Sequence, residues 1–279
     1  MKLIADSGST KTDWRLIKAD NSFDQTTTIG LNPYYVSVEQ ITDEVLKDSL
    51  LSGNANKVSA IHFYGSGCSS EDKKKVIVKA LSGIFKNTEI EVQHDLLGAA
   101  RALCGREAGI AAILGTGSNS CEYNGKKIIT NIPSLGFILG DEGSGAHLGK
   151  ELLKAFAYNE LPDDLKKKFD FRYKTSISEI LENTLQKPMA NKYMAGFAKF
   201  LFHNISHPFV SAIVIKCFTE FFDRHICKYE THKKVPVHFV GSIAYYFGDR
   251  LRYVAEDKGI VVGNILEKPI AALTLYHSH

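Results

Sequence analysis

No apolar run in this chain approaches the roughly 18 residues that cross a bilayer, so no membrane span is expected. The start, Met1-Lys2-Leu3-Ile4-Ala5, reaches Asp6 before the apolar centre of a leader peptide could form, so none is expected there. A dominant charge sign is also lacking, since 34 lysines and arginines against 31 acidic residues leave a net +3. So small an excess, spread along the sequence, argues against nucleic acid or an anionic membrane as partner. The one basic cluster, Lys166-Lys167-Lys168, follows Asp163 and Asp164 and reads as a solvated helix face. Paired cysteines are missing too. The five cysteines (Cys68, Cys104, Cys121, Cys217 and Cys227) are scattered and never form Cys-x-x-Cys. That makes a disulfide scaffold or a four-cysteine zinc site a poor reading, and it points to a reducing, cytoplasmic setting.

What is present is ordinary globular material, with 279 residues of which 44% are hydrophobic and 23% charged. This fits one large domain or two of middling size. Short strands are expected at Leu3–Ala5, Trp14–Ile17 and Phe23–Thr28, close enough for antiparallel hairpins. A helix over Val38–Leu51, a buried strand over Val58–Tyr64, a helix ending near Phe85, a strand over Ile90–Gln93 and a helix from about Leu96 follow. The pattern then begins again. Ile110–Leu114 is a strand that runs into glycines, and Asn124-Gly125 turns a hairpin. Helical spacing dominates from Ser178 to about Tyr229, followed by a strand over Val235–Val240, a helix from Ile243 to about Glu256, a strand over Ile260–Val262 and a C-terminal helix from Pro269. Two rounds of strands, glycine loops and helices imply a duplicated α/β domain. The expected division is 1–112 and 113–264, with the last helix, about 265–279, packing back on the first domain.

Two loops carry the chemistry. Asp6-Ser7-Gly8-Ser9-Thr10-Lys11-Thr12-Asp13 lies between two strands, which a Walker loop does not. Such a small-residue hairpin can wrap a phosphate with amides and hydroxyls, and a carboxylate at the strand end, Asp6, can hold hydrated Mg2+. Leu114-Gly115-Thr116-Gly117-Ser118 repeats the arrangement in the second half. One such loop is a plain polar turn as readily as a site. Two of them, each opening one half of the chain, suggest a nucleotide phosphate tail held by both. Asp95 ends a strand and faces Leu96-Leu97-Gly98-Ala99-Ala100, a helix start with little competing charge. Taken alone it reads first as a helix N-cap, and His94 beside it as a structural hydrogen-bonder.

These loops, the isolated Asp95 and Gly136-Phe137-Ile138-Leu139-Gly140-Asp141-Glu142-Gly143-Ser144-Gly145 resemble the N-acetylglucosamine kinase branch of the actin/hexokinase/Hsp70-like superfamily. That branch includes the BadF/BadG/BcrA/BcrD-type ATPase domain. The resemblance runs from Asp6 to about Gly149 and resumes at Val240-Gly241-Ser242-Ile243-Ala244. It implies a two-domain actin-like ATPase fold, of duplicated ribonuclease H-like type, with a central nucleotide cleft. It also implies an ATP- and Mg2+-dependent kinase acting on an amino sugar, with N-acetylglucosamine ahead of glucosamine and N-acetylmuramic acid. Ser9, Thr10, Lys11 and Thr12 then belong to the first phosphate loop, and Gly115, Thr116 and Gly117 to the second. Gly241, Ser242 and Ala244 match the adenosine site. Asp95 matches the catalytic base, and Asn32, Gly136, Phe137 and Asp141 join it around the sugar.

The sugar kinases of this branch often carry tryptophan where this chain has Phe137, which leaves the particular sugar open. The aromatic stretches Phe197–Phe202 and Phe218–Phe222 read as helical core, with contact in a homodimer as their functional alternative. Two other functions compete. An ATP-driven activator of a reductase would hold an iron–sulfur cluster with two cysteines per chain, for which Cys104 and Cys121 are the least implausible pair. A sugar-sensing protein would bind without catalysis.

Overall fold

The computed structural model describes residues 1–8 and 10–278, and the chain divides into two compact units. The first holds Met1–Glu107, Gly125–Ile128 and the stretch from Lys268 onward. The second holds Ala108–Asn124 and Ile129–Glu267.

The first unit runs through β1 (Lys2–Ser7), β2 (Lys11–Ile17), β3 (Phe23–Ile29), α1 (Val38–Lys47), α2 (Ser49–Gly53), β4 (Ala60–Gly65), α3 (Glu71–Ile84), β5 (Glu89–His94) and α4 (Asp95–Cys104). Its sheet has the order β3-β2-β1-β4-β5. The β1, β2 and β3 strands pair antiparallel, while β4 and β5 extend the sheet in parallel. Leu3, Ile4 and Ala5 are wholly buried, as an apolar run in a central strand covered on both faces must be. The single helix expected over Val38–Leu51 is two helices. The Asp48 carboxylate accepts the N–H groups of Leu50 and Leu51 and so starts a new helix at Ser49. Trp14, the only tryptophan, is buried in this core, and its indole N–H donates to Thr28 Oγ1 at 2.9 Å.

The C-terminal helix (Ile270–Ser278) packs on β1, β2 and α4. A polar seam fastens it. Tyr64 Oη lies 2.7 Å from His277 Nε2, and the His277 ring stacks on His62 with centroids 3.8 Å apart. Arg101 donates both to Tyr64 Oη and to Glu91, which also meets His62 Nδ1 at 2.7 Å. Because Tyr64 accepts from Arg101, its own proton goes to His277 Nε2. That ring is therefore neutral, and burial with His62 and Arg101 nearby drives its pKa down to about 3.

The second unit continues with β6 (Ala108–Leu114), β7 (Ser118–Asn124), β8 (Ile128–Ile132), α5 (Gly136–Leu139), α6 (Gly145–Ala157), α7 (Asp163–Tyr173), α8 (Ile177–Leu181), α9 (Ala190–Ala195), α10 (Ala198–His203), α11 (Pro208–Arg224), β9 (Val237–Val240), α12 (Ser242–Tyr246), α13 (Gly248–Asp257) and β10 (Val262–Leu266). Its sheet order, β8-β7-β6-β9-β10, repeats that of the first unit strand for strand. The β6–β7 pair is antiparallel, and β9 is parallel to both β6 and β10. Phe200, Phe218, Phe221 and Phe222 are buried in the helical core, as their spacing predicts. Three expectations shift, the first being that β9 begins at Val237 and not at Val235. The helix expected from Ile243 to Glu256 breaks at Phe247-Gly248, and β10 begins only at Val262, because Ile260 is buried in the core ahead of the strand.

Candidate active site

In the first unit, the β1–β2 hairpin closes through Gly8 N–H donating to Lys11 O at 3.0 Å. Ser9 lies outside the described residues. Thr10 is exposed at the tip. Thr12, expected to reach a phosphate, is wholly buried and its hydroxyl is already used. It donates to Ile29 O at 2.9 Å and stands 2.8 Å from Ser7 Oγ, which in turn accepts Leu31 N–H. The reason is strand alternation: Thr12 faces the core while Lys11 and Asp13 face out. Lys11 Nζ lies 2.9 Å from Asp13 Oδ1, and Lys268 Nζ lies 3.5 Å from Asp13 Oδ2. Burial raises the Asp13 carboxyl, but the two ammonium groups hold it below the usual carboxylate range. Lys268 was not legible as a loop partner, since it lies 255 positions beyond Asp13 and no motif marks it.

Asp6, on the final turn of β1, belongs to an acidic group. Burial, with the charges of Asp95 and Asp13, pushes its pKa up to about 7. Asp6 and Asp95 therefore sit close enough to repel. A crowded carboxylate with only Lys11 and Lys268 to offset it suits a divalent cation. Among the described residues no group of three or more His, Cys, Asp or Glu side chains could cage a metal.

Asp95 is not the N-cap of α4. His94 takes that role, its Nδ1 accepting Leu96 N–H at 3.1 Å, and the same Nδ1 lies 3.0 Å from Asp95 Oδ1. The ring thus has two uses for one nitrogen, as cap acceptor when neutral and as Asp95 partner when protonated. Burial lowers the His94 pKa, but the Asp95 carboxylate raises it more. Asp95 is left in the first helical turn, partly exposed. Asn32 is buried in the same unit. Its Oδ1 accepts Tyr34 N–H at 3.0 Å, and its amide packs against Gly67, where a Cβ would come within 2.2 Å of Oδ1.

In the second unit the β6–β7 turn is gripped from behind. Gly115 N–H donates to Gly117 O, Gly145 N–H to Gly115 O at 2.8 Å, and Ala146 N–H to Thr116 O at 3.1 Å. The first amides of α6 are thus spent on the loop, and Thr116 is exposed at its tip. Asp141 is buried with a left-handed φ of 55° and packs directly on Gly117, where a Cβ would lie 2.8 Å from Oδ2. Its Oδ1 accepts from Ser134 Oγ at 2.8 Å and from Ser118 N–H at 3.3 Å. Gly241, at φ 121°, packs on the same turn, and a Cβ there would be 2.3 Å from Leu114 O. Gly115–Gly117, Asp141 and Gly241–Ser242 therefore converge, with Ser242 exposed. Ala244 does not reach the surface: it is wholly buried in the core and supports α12 from behind. Gly136 and Phe137 lie on α5, where Phe137 is half-buried against the core. Ser118, the hydroxyl residue that closes the second loop, is buried, and its hydroxyl has no partner among the described residues.

The cysteines fit a cluster poorly. Burial pushes the Cys104 thiol up to about 12, and Cys121 is wholly buried. Among the described residues no helix is long and apolar enough to cross a membrane.

No family model matches the chain, and no curated protein matches it by sequence. Solved structures do. A "putative N-acetylglucosamine kinase" from Porphyromonas gingivalis is 38% identical, covers 99% of this chain and 98% of its own, and superimposes with a TM-score of 0.94. The chain belongs to the N-acetylglucosamine kinase family. A second "putative N-acetylglucosamine kinase", from Chromobacterium violaceum, matches over 99% of this chain and 98% of its own with a TM-score of 0.75 at 16% identity. A ROK family glucokinase from Streptomyces griseus, solved with glucose and AMPPNP, has the same coverage, a TM-score of 0.59 and 12% identity. At such identities these two speak for the fold, which is the actin-like ATPase α/β fold. In this chain the Gly136–Gly145 block supplies the groups, Asp141 and Gly145, that hold the second glycine turn.

Proposed function

We propose that the chain is a sugar kinase that transfers the γ-phosphate of ATP to a hydroxyl of an amino sugar, with N-acetylglucosamine as the leading acceptor. The observation that carries this reading is the 38% identity, over 98–99% of both chains, to the Porphyromonas gingivalis protein. In the first unit, Asp95 accepts the hydroxyl proton as the sugar oxygen bonds to the γ-phosphorus and the bond to the ADP oxygen breaks. The proton leaves Asp95 for solvent after product release. Its neighbour Asp6 orients hydrated Mg2+, which when bound neutralises phosphate charge. Thr10 and Lys11, at the exposed edge of the hairpin, supply a hydroxyl and a cation to the phosphates, a duty that the buried Thr12 cannot share.

In the second unit, the Gly115–Gly117 turn presents backbone amides and the Thr116 hydroxyl to phosphate, while Gly241 and Ser242 open a surface for the adenosine. Asp141 and Gly136 hold sugar hydroxyls, and Phe137 offers the exposed part of its ring. The test is release of ADP and appearance of a sugar phosphate, by mass spectrometry, across N-acetylglucosamine, glucosamine, N-acetylmuramic acid and common hexoses with Mg-ATP. Phosphorylation of N-acetylglucosamine at the highest kcat/KM is expected. ATP turnover indifferent to every sugar would overturn the proposal.

A further inference from the structure

The Gly140–Gly145 loop is an unfavourable piece of backbone held in one shape. Asp141 and Gly143 both have positive φ, at 55° and 71°. Between them Glu142 buries a carboxylate, which is costly unless both oxygens are paired. Both are, and from one place: Arg224 Nη1 lies 3.2 Å from Oε1 as an ion pair, and His225 Nε2 lies 3.1 Å from Oε2. Burial raises the Glu142 pKa, while a backbone bond, His225 and Arg224 bring it below the usual carboxylate range, so the group stays ionised. The same end of α11 touches the loop again. Phe221 lies under Gly143, where a Cβ would be 2.8 Å from Phe221 Cβ, and the His225 ring stacks on Phe221 with centroids 5.1 Å apart.

We propose that His225 is a positioning residue: through Glu142 it holds the loop so that Asp141 stays on Gly117 and the second glycine turn keeps its shape. The two partners of Glu142 are unequal. The Arg224 side chain is 62% exposed and solvent weakens its pull, whereas the His225 side chain is 5% exposed. With Nε2–H given to Glu142, His225 Nδ1 remains buried with no partner among the described residues.

The role of the loop rests on the kinase reading, so the experiment reads the clamp in two ways. H225L removes the donor, while H225Q places an amide nitrogen where Nε2 stands. Backbone hydrogen exchange is measured over residues 140–146 in both variants and wild type, alongside steady-state kinetics with N-acetylglucosamine and Mg-ATP. In H225L the 140–146 amides should exchange about tenfold faster, the size expected for losing one charged hydrogen bond. The ATP KM should rise about tenfold with kcat changed less, and H225Q should restore both exchange and KM. Should H225L not fold, E142Q, which keeps the shape and removes the charge, should loosen the same amides. Unchanged exchange in folded H225L, or H225Q as damaging as H225L, would overturn the clamp. A wild type that phosphorylates no sugar would instead overturn the kinase reading, and the exchange data would still decide the clamp.

Discussion

The two units share one sheet topology and use it differently. In each, the first two strands form a hairpin whose turn is short and rich in glycine and hydroxyl residues. In the first unit the turn is charged: Asp6 and Asp13 are crowded with Asp95, and Lys11 and Lys268 offset them. In the second the turn is neutral and mechanical, locked by α6 amides, Asp141 and Gly241. The tip threonines agree, Thr10 and Thr116 both being exposed, whereas Thr12, already within β2, is turned into the core. A duplicated scaffold thus fixes where a loop stands, while the side chains behind it decide whether it carries charge or shape.

The sharpest break in that comparison is D95N. It should cut kcat by at least about a hundredfold, since general-base help is typically worth that much. Because His94 and not Asp95 caps α4, thermal unfolding should barely move. A large loss of stability with normal specific activity would return Asp95 to a structural role.

Next comes the mechanical loop. G241A places a Cβ 2.3 Å from Leu114 O at φ 121° and should cost about 2 kcal/mol or more in urea unfolding. In G115A a Cβ meets nothing within 4 Å, so stability should stay within about 1 kcal/mol while the ATP KM rises. Equal destabilisation by the two changes would contradict a turn shaped by Gly241.

The threonines give a smaller, crossed pair of effects. T12V strands the Ser7 hydroxyl and should lose about 1–3 kcal/mol of stability with little change in ATP KM. T116V should leave stability within about 0.5 kcal/mol and raise the ATP KM roughly two- to tenfold. The reverse pattern would exchange their roles.

The least per step is a pH effect confined to the first unit. His277 has a folded pKa of about 3 against an ordinary 6.5, so the unfolded chain binds the proton first as pH falls. Its contribution is intact above pH 6.5 and is lost progressively toward pH 3, by roughly 1 kcal/mol per pH unit at most. Glu91 is held down to about 2 by His62 against burial, with Arg101 assisting, so its contribution is present above 4.5 and fades below it. Trp14, the only tryptophan, reports unfolding of this unit by fluorescence. H277Q, which keeps an acceptor for Tyr64 but does not titrate, should flatten the slope between pH 6.5 and 5. An unchanged slope would remove His277 as its source.

Residues 3–5, 58–64 and 110–114 announce buried strands, and the glycine turns after them are punctuated by chemistry that needs no partner to be read. Asp95 was legible as a strand-end acid, although its reading as a cap failed because a neighbouring imidazole can accept the same amide. The break at Asp48 and the late start of β10 were not legible: a carboxylate on a helix face can start a second helix, and an apolar triplet serves a core as well as a strand. Local order of this kind follows from side-chain periodicity and backbone preference, which are carried by neighbours along the chain. The partners that set charge and shape are not neighbours. Tyr64 meets His277 across 213 positions and Glu142 meets His225 across 83, and Thr12 turns inward because β2 pairs between β1 and β3. Which polar group is buried, which hydroxyl is spent and which carboxylate is crowded depend on packing between distant segments, and packing is decided only when the chain has folded.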